Sequence, residues 1–234
     1  MAGSFLHRVQ QALLVRYRAA EFRRAVKVEL DVPVETVGDL SYGGYTIPRQ
    51  LLGGESLLVS VGAGTDISFE LELVGRFGCR VFIYDPVPAA AEHTERAIEA
   101  EPRISFERVA VWNEDTELDF HAPLREGFVS HSAVDLHGTP VSFTAPARTL
   151  STLAQANGWT KIDLLKVSAE GSEFAILEHA LGSGLEIRAI AVEWAQPVEL
   201  ARVKAALADL HAAGFRTVAV SGRPRGHKMS LLRP

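Results

Sequence analysis

One apolar run that breaks on two glycines, Leu58-Val59-Ser60-Val61-Gly62-Ala63-Gly64-Thr65-Asp66, constrains this chain more than any other stretch. Helix-like sequence follows it. A second apolar run, Arg80-Val81-Phe82-Ile83-Tyr84, then ends in Asp85. The order is strand, tight turn, helix, strand, carboxylate, which is the layout of a nucleotide-binding βαβ unit. Gly62 and Gly64 lack the Cβ that would keep a ligand away from the backbone N–H groups. Asp85 can accept hydrogen bonds from both hydroxyls of a ribose.

The spacing of the glycines separates two cofactor classes. A dinucleotide site wants a third glycine three residues past the second, so that helix and strand close around a pyrophosphate. Ile67 stands there, and no basic residue lies near the turn to meet a phosphate. An NAD-linked oxidoreductase is therefore disfavoured. A ligand with a ribose and no phosphate fits better, and S-adenosyl-L-methionine is the common one.

Strand and helix patterns alternate beyond the turn. Strands are predicted at Leu57–Val61, Arg80–Tyr84, Ile104–Val111, Ile162–Val167 and Ile187–Glu193, and helices at Ser68–Phe77, Ala89–Ala100, Leu150–Asn157, Ser172–Leu181 and Val198–Ala213. Thr116–His121 and Val141–Ala145 read as extra strands. Alternation of this kind makes an α/β, Rossmann-type doubly wound sheet, mostly parallel and covered on both faces. Phe215–Val220 and Met229–Leu232 are too closely spaced for a parallel crossover, so an antiparallel C-terminal strand is expected. We expect one domain overall, with an N-terminal helix and connecting segment (1–56) packed on a cofactor-binding unit (57–234).

Composition excludes several classes. Among 234 residues, 47% are hydrophobic and 23% charged, as in ordinary globular proteins. A net charge of −5 gives no general reason to bind nucleic acid, and none is expected as a partner. The lone Cys79 excludes an internal disulfide and suits a reducing compartment. No apolar run approaches the ~20 residues of a membrane span, and no signal peptide is evident, so a cytoplasmic protein is expected. Residues 1–28 hold six Lys/Arg and one acid. Leu6, Val9, Leu13, Tyr17 and Ala20 fall on one helical stripe, with Arg16, Arg23, Arg24 and Lys27 clustered on another. That basic face is either a solvated surface or a peripheral contact for an anionic surface or carrier. Oligomeric state, self-association included, is left open.

Four segments carry a resemblance to a known family: Gly43-Gly44-Tyr45-Thr46-Ile47-Pro48; Val61 to Glu70; Ile83-Tyr84-Asp85-Pro86-Val87-Pro88; and Ile162-Asp163-Leu164-Leu165-Lys166-Val167-Ser168-Ala169-Glu170-Gly171. From about Tyr42 onward the chain resembles the FkbM family of S-adenosylmethionine-dependent methyltransferases. The resemblance implies a class I methyltransferase fold. It also implies O-methylation of a hydroxyl on a sugar, glycolipid or secondary metabolite, so the acceptor is a small molecule, glycan or glycolipid. The family usually shows Lys-x-Asp-x-Glu-Gly in the last segment, where this chain has Ser168. A cofactor-binding module that lost activity with that acid is the non-enzymatic alternative.

Ligands of such folds lie at the carboxyl edge of the sheet. Cofactor contacts are therefore expected from Ser60, Gly62, Gly64, Asp66, Asp85, Val111 and Trp112. Many methyltransferases have an acid where Ser60 stands and a glycine where Asp66 stands. Asp66 would meet the methionine ammonium or cap the following helix, and Trp112 would stack on adenine or fill core. Methyl transfer to oxygen needs an oriented acceptor and a proton sink. Glu170 and Glu193 are candidate bases. Lys166 would steady an oxyanion or carboxylate, or pair with Glu170. His131, Asp135 and His137 lack recognised ligand spacing, and Ser168 removes an acid, so no metal is expected.

Overall fold

The computed structural model describes residues 20–22, 24–39, 42–125, 127–195, 198–223 and 226–234. Most of the predicted N-terminal helix, with Arg16 and Arg23, lies outside the described residues. Its described end is helical at 20–22 and 24–25 and buries Phe22 and Val26 in the core, with Arg24 and Lys27 exposed.

A hairpin comes first, β1 (Val34–Val37) with β2 (Tyr45–Pro48), followed by β3 (Leu57–Val61). Helix α1 (Ser68–Phe77) leads to β4 (Arg80–Tyr84), and α2 (Pro88–Ala97) to β5 (Ile104–Glu107). Then come β6 (Ala110–Val111), β7 (Thr116–His121), β8 (Val141–Arg148), α3 (Leu150–Asn157) and β9 (Lys161–Val167). The chain ends with α4 (Glu173–Gly182), β10 (Glu186–Trp194), α5 (Leu200–Ala212), β11 (Arg216–Arg223) and β12 (Gly226–Leu232).

Seven strands form the main sheet in the order β11-β12-β10-β9-β3-β4-β5. β3, β4, β5, β9 and β10 run parallel, and β12 is antiparallel to both of its neighbours. Every residue of β3 is buried, as both faces of a parallel sheet demand. Two apolar clusters cover the faces. One gathers β9, β10, α3, α4 and α5 around Trp194 and Leu165, and the other packs α1 and the β1–β2 hairpin over Leu58 and Ile83. Helix ends follow local chemistry. The Ser68 N–H at the start of α1 donates to Asp66 Oδ1, Thr149 caps α3, and Gly78 and Gly158 end α1 and α3 in left-handed conformation.

Two expectations about strands are corrected. The single strand predicted over 104–111 is two, because the Val109 N–H turns back to the Glu107 carbonyl. β5 stays at the edge of the main sheet, while β6 joins a separate sheet, β6-β8-β7. β8 also continues past Ala145 through Pro146 to Arg148. Proline lacks a donor and normally ends a central strand. Here β6 pairs only with Ala147 and Arg148, so Pro146 sits where that side of β8 has no partner strand.

Candidate active site

The carboxyl ends of β3, β4, β9 and β10 converge on a cavity of about 460 Å³, within the ordinary range for ligand sites. The β3 turn forms its floor. Gly62 has φ +84° and donates its N–H to the Tyr84 carbonyl. A Cβ there would lie 1.9 Å from the Ser168 carbonyl oxygen, so the exit of β9 tolerates only glycine. Gly64, at φ +59°, needs glycine for its backbone angle, and a Cβ there would meet only the Tyr42 hydroxyl, at 3.9 Å.

Asp85 is buried beneath this turn. Its Oδ2 accepts from Ala63 N–H at 2.8 Å and Gly64 N–H at 2.9 Å, and its Oδ1 from Val87 N–H at 2.9 Å. Burial pushes the carboxyl up from its ordinary range, and these N–H groups with Lys166 hold it partly down. Three of about four acceptor positions are used, so Asp85 shapes the turn and retains one position for a ligand hydroxyl. Asp66 also has two bonds, from Gly43 N–H and Ser68 N–H, which tie the segment before β2 to the start of α1. Its helix-capping alternative is realised, and it still lines the cavity.

Ser60 and Trp112 do not line the cavity. Ser60 lies under the turn and donates to Glu70 Oε1, which is 3.5 Å from Lys166 Nζ. Lys166 also donates to the Gly62 carbonyl. The ion-pair partner of Lys166 is thus Glu70 and not Glu170. Trp112 packs with Phe120, Ala145 and Ala147 of the small sheet. Its neighbours Ala110 and Val111 do reach the cavity.

Glu170, in the turn after β9, and Glu193, on β10, line the cavity. Glu170 has φ +44°, the one non-glycine residue with positive φ among those described. Such strain persists where surroundings enforce it, often at functional sites. Its carbonyl accepts from Ser132 Oγ. Burial raises its pKa, Ser130 opposes this, and Glu193 adds to it. Glu173, fully buried, accepts from the Ala169 and Gly171 N–H groups and is pushed up to about 7 by burial.

Sequence reasoning missed Lys228. β12 begins at the site and runs antiparallel away from it, so its first residues bring Lys228 Nζ to the Tyr42 and Gly44 carbonyls, 3.5 Å from Glu193 Oε2 and 4.4 Å from the Tyr45 ring centroid. Burial lowers its pKa, and Glu193 opposes the shift. Tyr45 donates to Glu193, and Ser168 Oγ lies 3.4 Å from the same carboxylate. A lysine inside an apolar strand was the available signal. Glu70 was signalled too, as an acid on the buried face of α1 beside Phe69, Leu73 and Val74.

The cavity thus presents Asp66, Asp85, Glu170 and Glu193 against Lys166 and Lys228, and both ammoniums are already engaged. A polyanionic dinucleotide is poorly matched to this wall, whereas a cationic sulfonium nucleoside is well matched. Among the described residues, no three His, Cys, Asp or Glu side chains are grouped to hold a metal, and no helix is long and apolar enough to cross a membrane.

The strand order, with one antiparallel strand next to the edge, is that of a class I methyltransferase, whose cofactor is S-adenosylmethionine. The family model for the methyltransferase FkbM domain matches residues 60–217, and the chain belongs to that family. Solved structures with a similar layout include a Methanococcus jannaschii fibrillarin pre-rRNA processing protein (11% identity, 78% of this chain and 68% of that one, TM-score 0.46). The METTL16 methyltransferase domain is another (8%, 75% and 58%, 0.46). A third is an Aeropyrum pernix fibrillarin with natively bound S-adenosyl-L-methionine (9%, 79% and 69%, 0.45). No curated protein matches the chain.

Proposed function

We propose that this methyltransferase acts on a hydroxyl of a sugar, glycolipid or secondary metabolite, with Glu170 as the general base. The observation that carries this reading is the placement of Glu170. A strained backbone holds it on the cavity wall just past the end of β9, and burial raises its pKa, which makes its carboxylate a stronger base. When bound, S-adenosylmethionine supplies an electrophilic methyl group on a sulfonium. Gly62, Gly64, Asp85 and Val111 would hold its nucleoside part, and Asp66 would meet its amino-acid end. Ser60 supports the turn from below through Glu70. Glu193, set by Tyr45, Ser168 and Lys228, would orient the acceptor, and Glu170 would take the hydroxyl proton as the methyl group exchanges its bond to sulfur for one to oxygen, with S-adenosylhomocysteine as the leaving group. Lys166 braces the turn through the Gly62 carbonyl. The cavity volume and the net charge of −5 favour a small acceptor over nucleic acid.

The test is incubation with S-adenosylmethionine and a panel of glycosides, polyhydroxylated metabolites and RNA, with methyl ethers read by mass spectrometry. Glu170→Gln should lower kcat by ~10²–10⁴, the usual range for a positioned base, with S-adenosylhomocysteine affinity kept within about twofold. Methylation confined to RNA, or full turnover by the variant, would overturn the assignment.

A further inference from the structure

A second cavity of about 320 Å³ adjoins the first and shares Phe128, Ser130 and Glu170 with it. The side chains of Arg125, His121 and His137 line it beyond that shared wall. Among the described residues, Glu170 is its one acidic lining residue. Asp135 lies close by, outside the lining, with Oδ1 accepting from Gly138 and Thr139 N–H groups and 3.9 Å from His121 Nδ1. His121 Nδ1 is 2.7 Å from the Thr139 carbonyl oxygen, so that nitrogen donates to it, and Nε2 can donate to an oxyanion only when the ring is an imidazolium. The Arg125 guanidinium lies 5.9 Å from the Phe128 ring centroid and has no carboxylate partner among the described residues. Arginine always carries its charge, and its planar fork matches the oxygens of a carboxylate or phosphate.

We propose that this second cavity binds an oxyanion of the acceptor, a carboxylate or a phosphate, while the hydroxyl to be methylated lies beside Glu170. The proposal rests on the hydroxyl-acceptor reading only for that last clause. It narrows the acceptor to an acidic molecule such as a uronic acid or a phosphorylated sugar. It also gives the loop between β7 and β8 a role. The shared wall puts Glu170 between the two compartments, where it separates the anionic group from the methyl-transfer position.

The test uses the full chain loaded with S-adenosylhomocysteine. Inorganic phosphate and acetate are titrated separately against sodium chloride at equal ionic strength, with the imidazole signals of His121 and His137 followed by NMR. Saturable shifts are expected for at least one oxyanion and not for chloride, and whichever saturates names the group. Arg125→Gln should raise the midpoint at least tenfold and leave S-adenosylhomocysteine affinity within twofold. No saturation, or an unchanged midpoint in the variant, overturns the proposal. Because this readout needs no turnover, the two readings fail separately. Oxyanion binding with no methyl ether formed sinks O-methylation alone. Equal kcat/KM on neutral glycosides and on their uronic or phosphorylated counterparts sinks the oxyanion cavity alone.

Discussion

Replacement of Asp85 should injure folding and cofactor binding together, and the structure allows the two to be sized. Its carboxylate satisfies the buried N–H groups of Ala63 and Val87 and the half-buried one of Gly64. Each buried donor left without a partner costs about 1–3 kcal/mol. The Gly64 N–H can turn to water, so Asp85→Ala should lose about 2–6 kcal/mol of stability, counting ~1–3 for each of the other two. Asp85→Asn keeps one oxygen for Ala63 and Gly64 and turns an NH₂ toward Val87, so its loss should be about 1–3 kcal/mol. Urea unfolding gives both values, in the order wild type, Asn, Ala. In the folded Asn variant, calorimetry with S-adenosylhomocysteine should show Kd raised at least ~tenfold, or ~1.4 kcal/mol. An Ala variant within ~0.5 kcal/mol of wild type, a spread typical of inconsequential substitutions, would refute the turn-holding role. Unchanged Kd in the Asn variant would refute the cofactor contact.

Gly62→Ala must adopt φ +84° and place a Cβ on the Ser168 carbonyl. It should cost about 2–5 kcal/mol from backbone strain plus overpacking, and wild-type thermal stability in this variant would contradict the geometry. Glu173 supplies a pH signature. Its folded pKa of about 7 exceeds the unfolded value near ~4.3, so unfolding releases a proton between them. Its contribution to stability therefore falls as pH rises from about 4.5 to about 7 and is level above. Subtracting the Glu173→Gln unfolding curve from wild type should isolate that slope, and parallel curves would exclude it. Turnover should persist in EDTA, since Ser168 stands where the family usually has an acid. Activity lost to EDTA and restored by Mg²⁺ or Mn²⁺ would sink that expectation.

The Leu58–Asp66 stretch and the run ending in Asp85 contain their own structure. An apolar strand, two glycines and a helix start are local signals, and the alternation of periods around them sets a doubly wound sheet with little else to choose from. The predicted spans of α1 and α3 match to their ends, where the structure shows Asp66, Thr149 and the closing glycines fixing the boundaries. What lay beyond the sequence was which side chains meet. Lys166 and Glu170 are four residues apart, yet Lys166 pairs with Glu70 of α1, because β9 ends at Val167 and Glu170 sits beyond it in a turn at φ +44°. Trp112 belongs to the small sheet because β8 captures β6, a pairing between segments about 35 residues apart. Lys228 reaches the site only because β12 runs antiparallel and begins where the parallel strands end. Local propensity sets the elements. Long-range register and burial decide which charges are brought into contact, since a buried ammonium or carboxylate must find its partner wherever the packed fold supplies one.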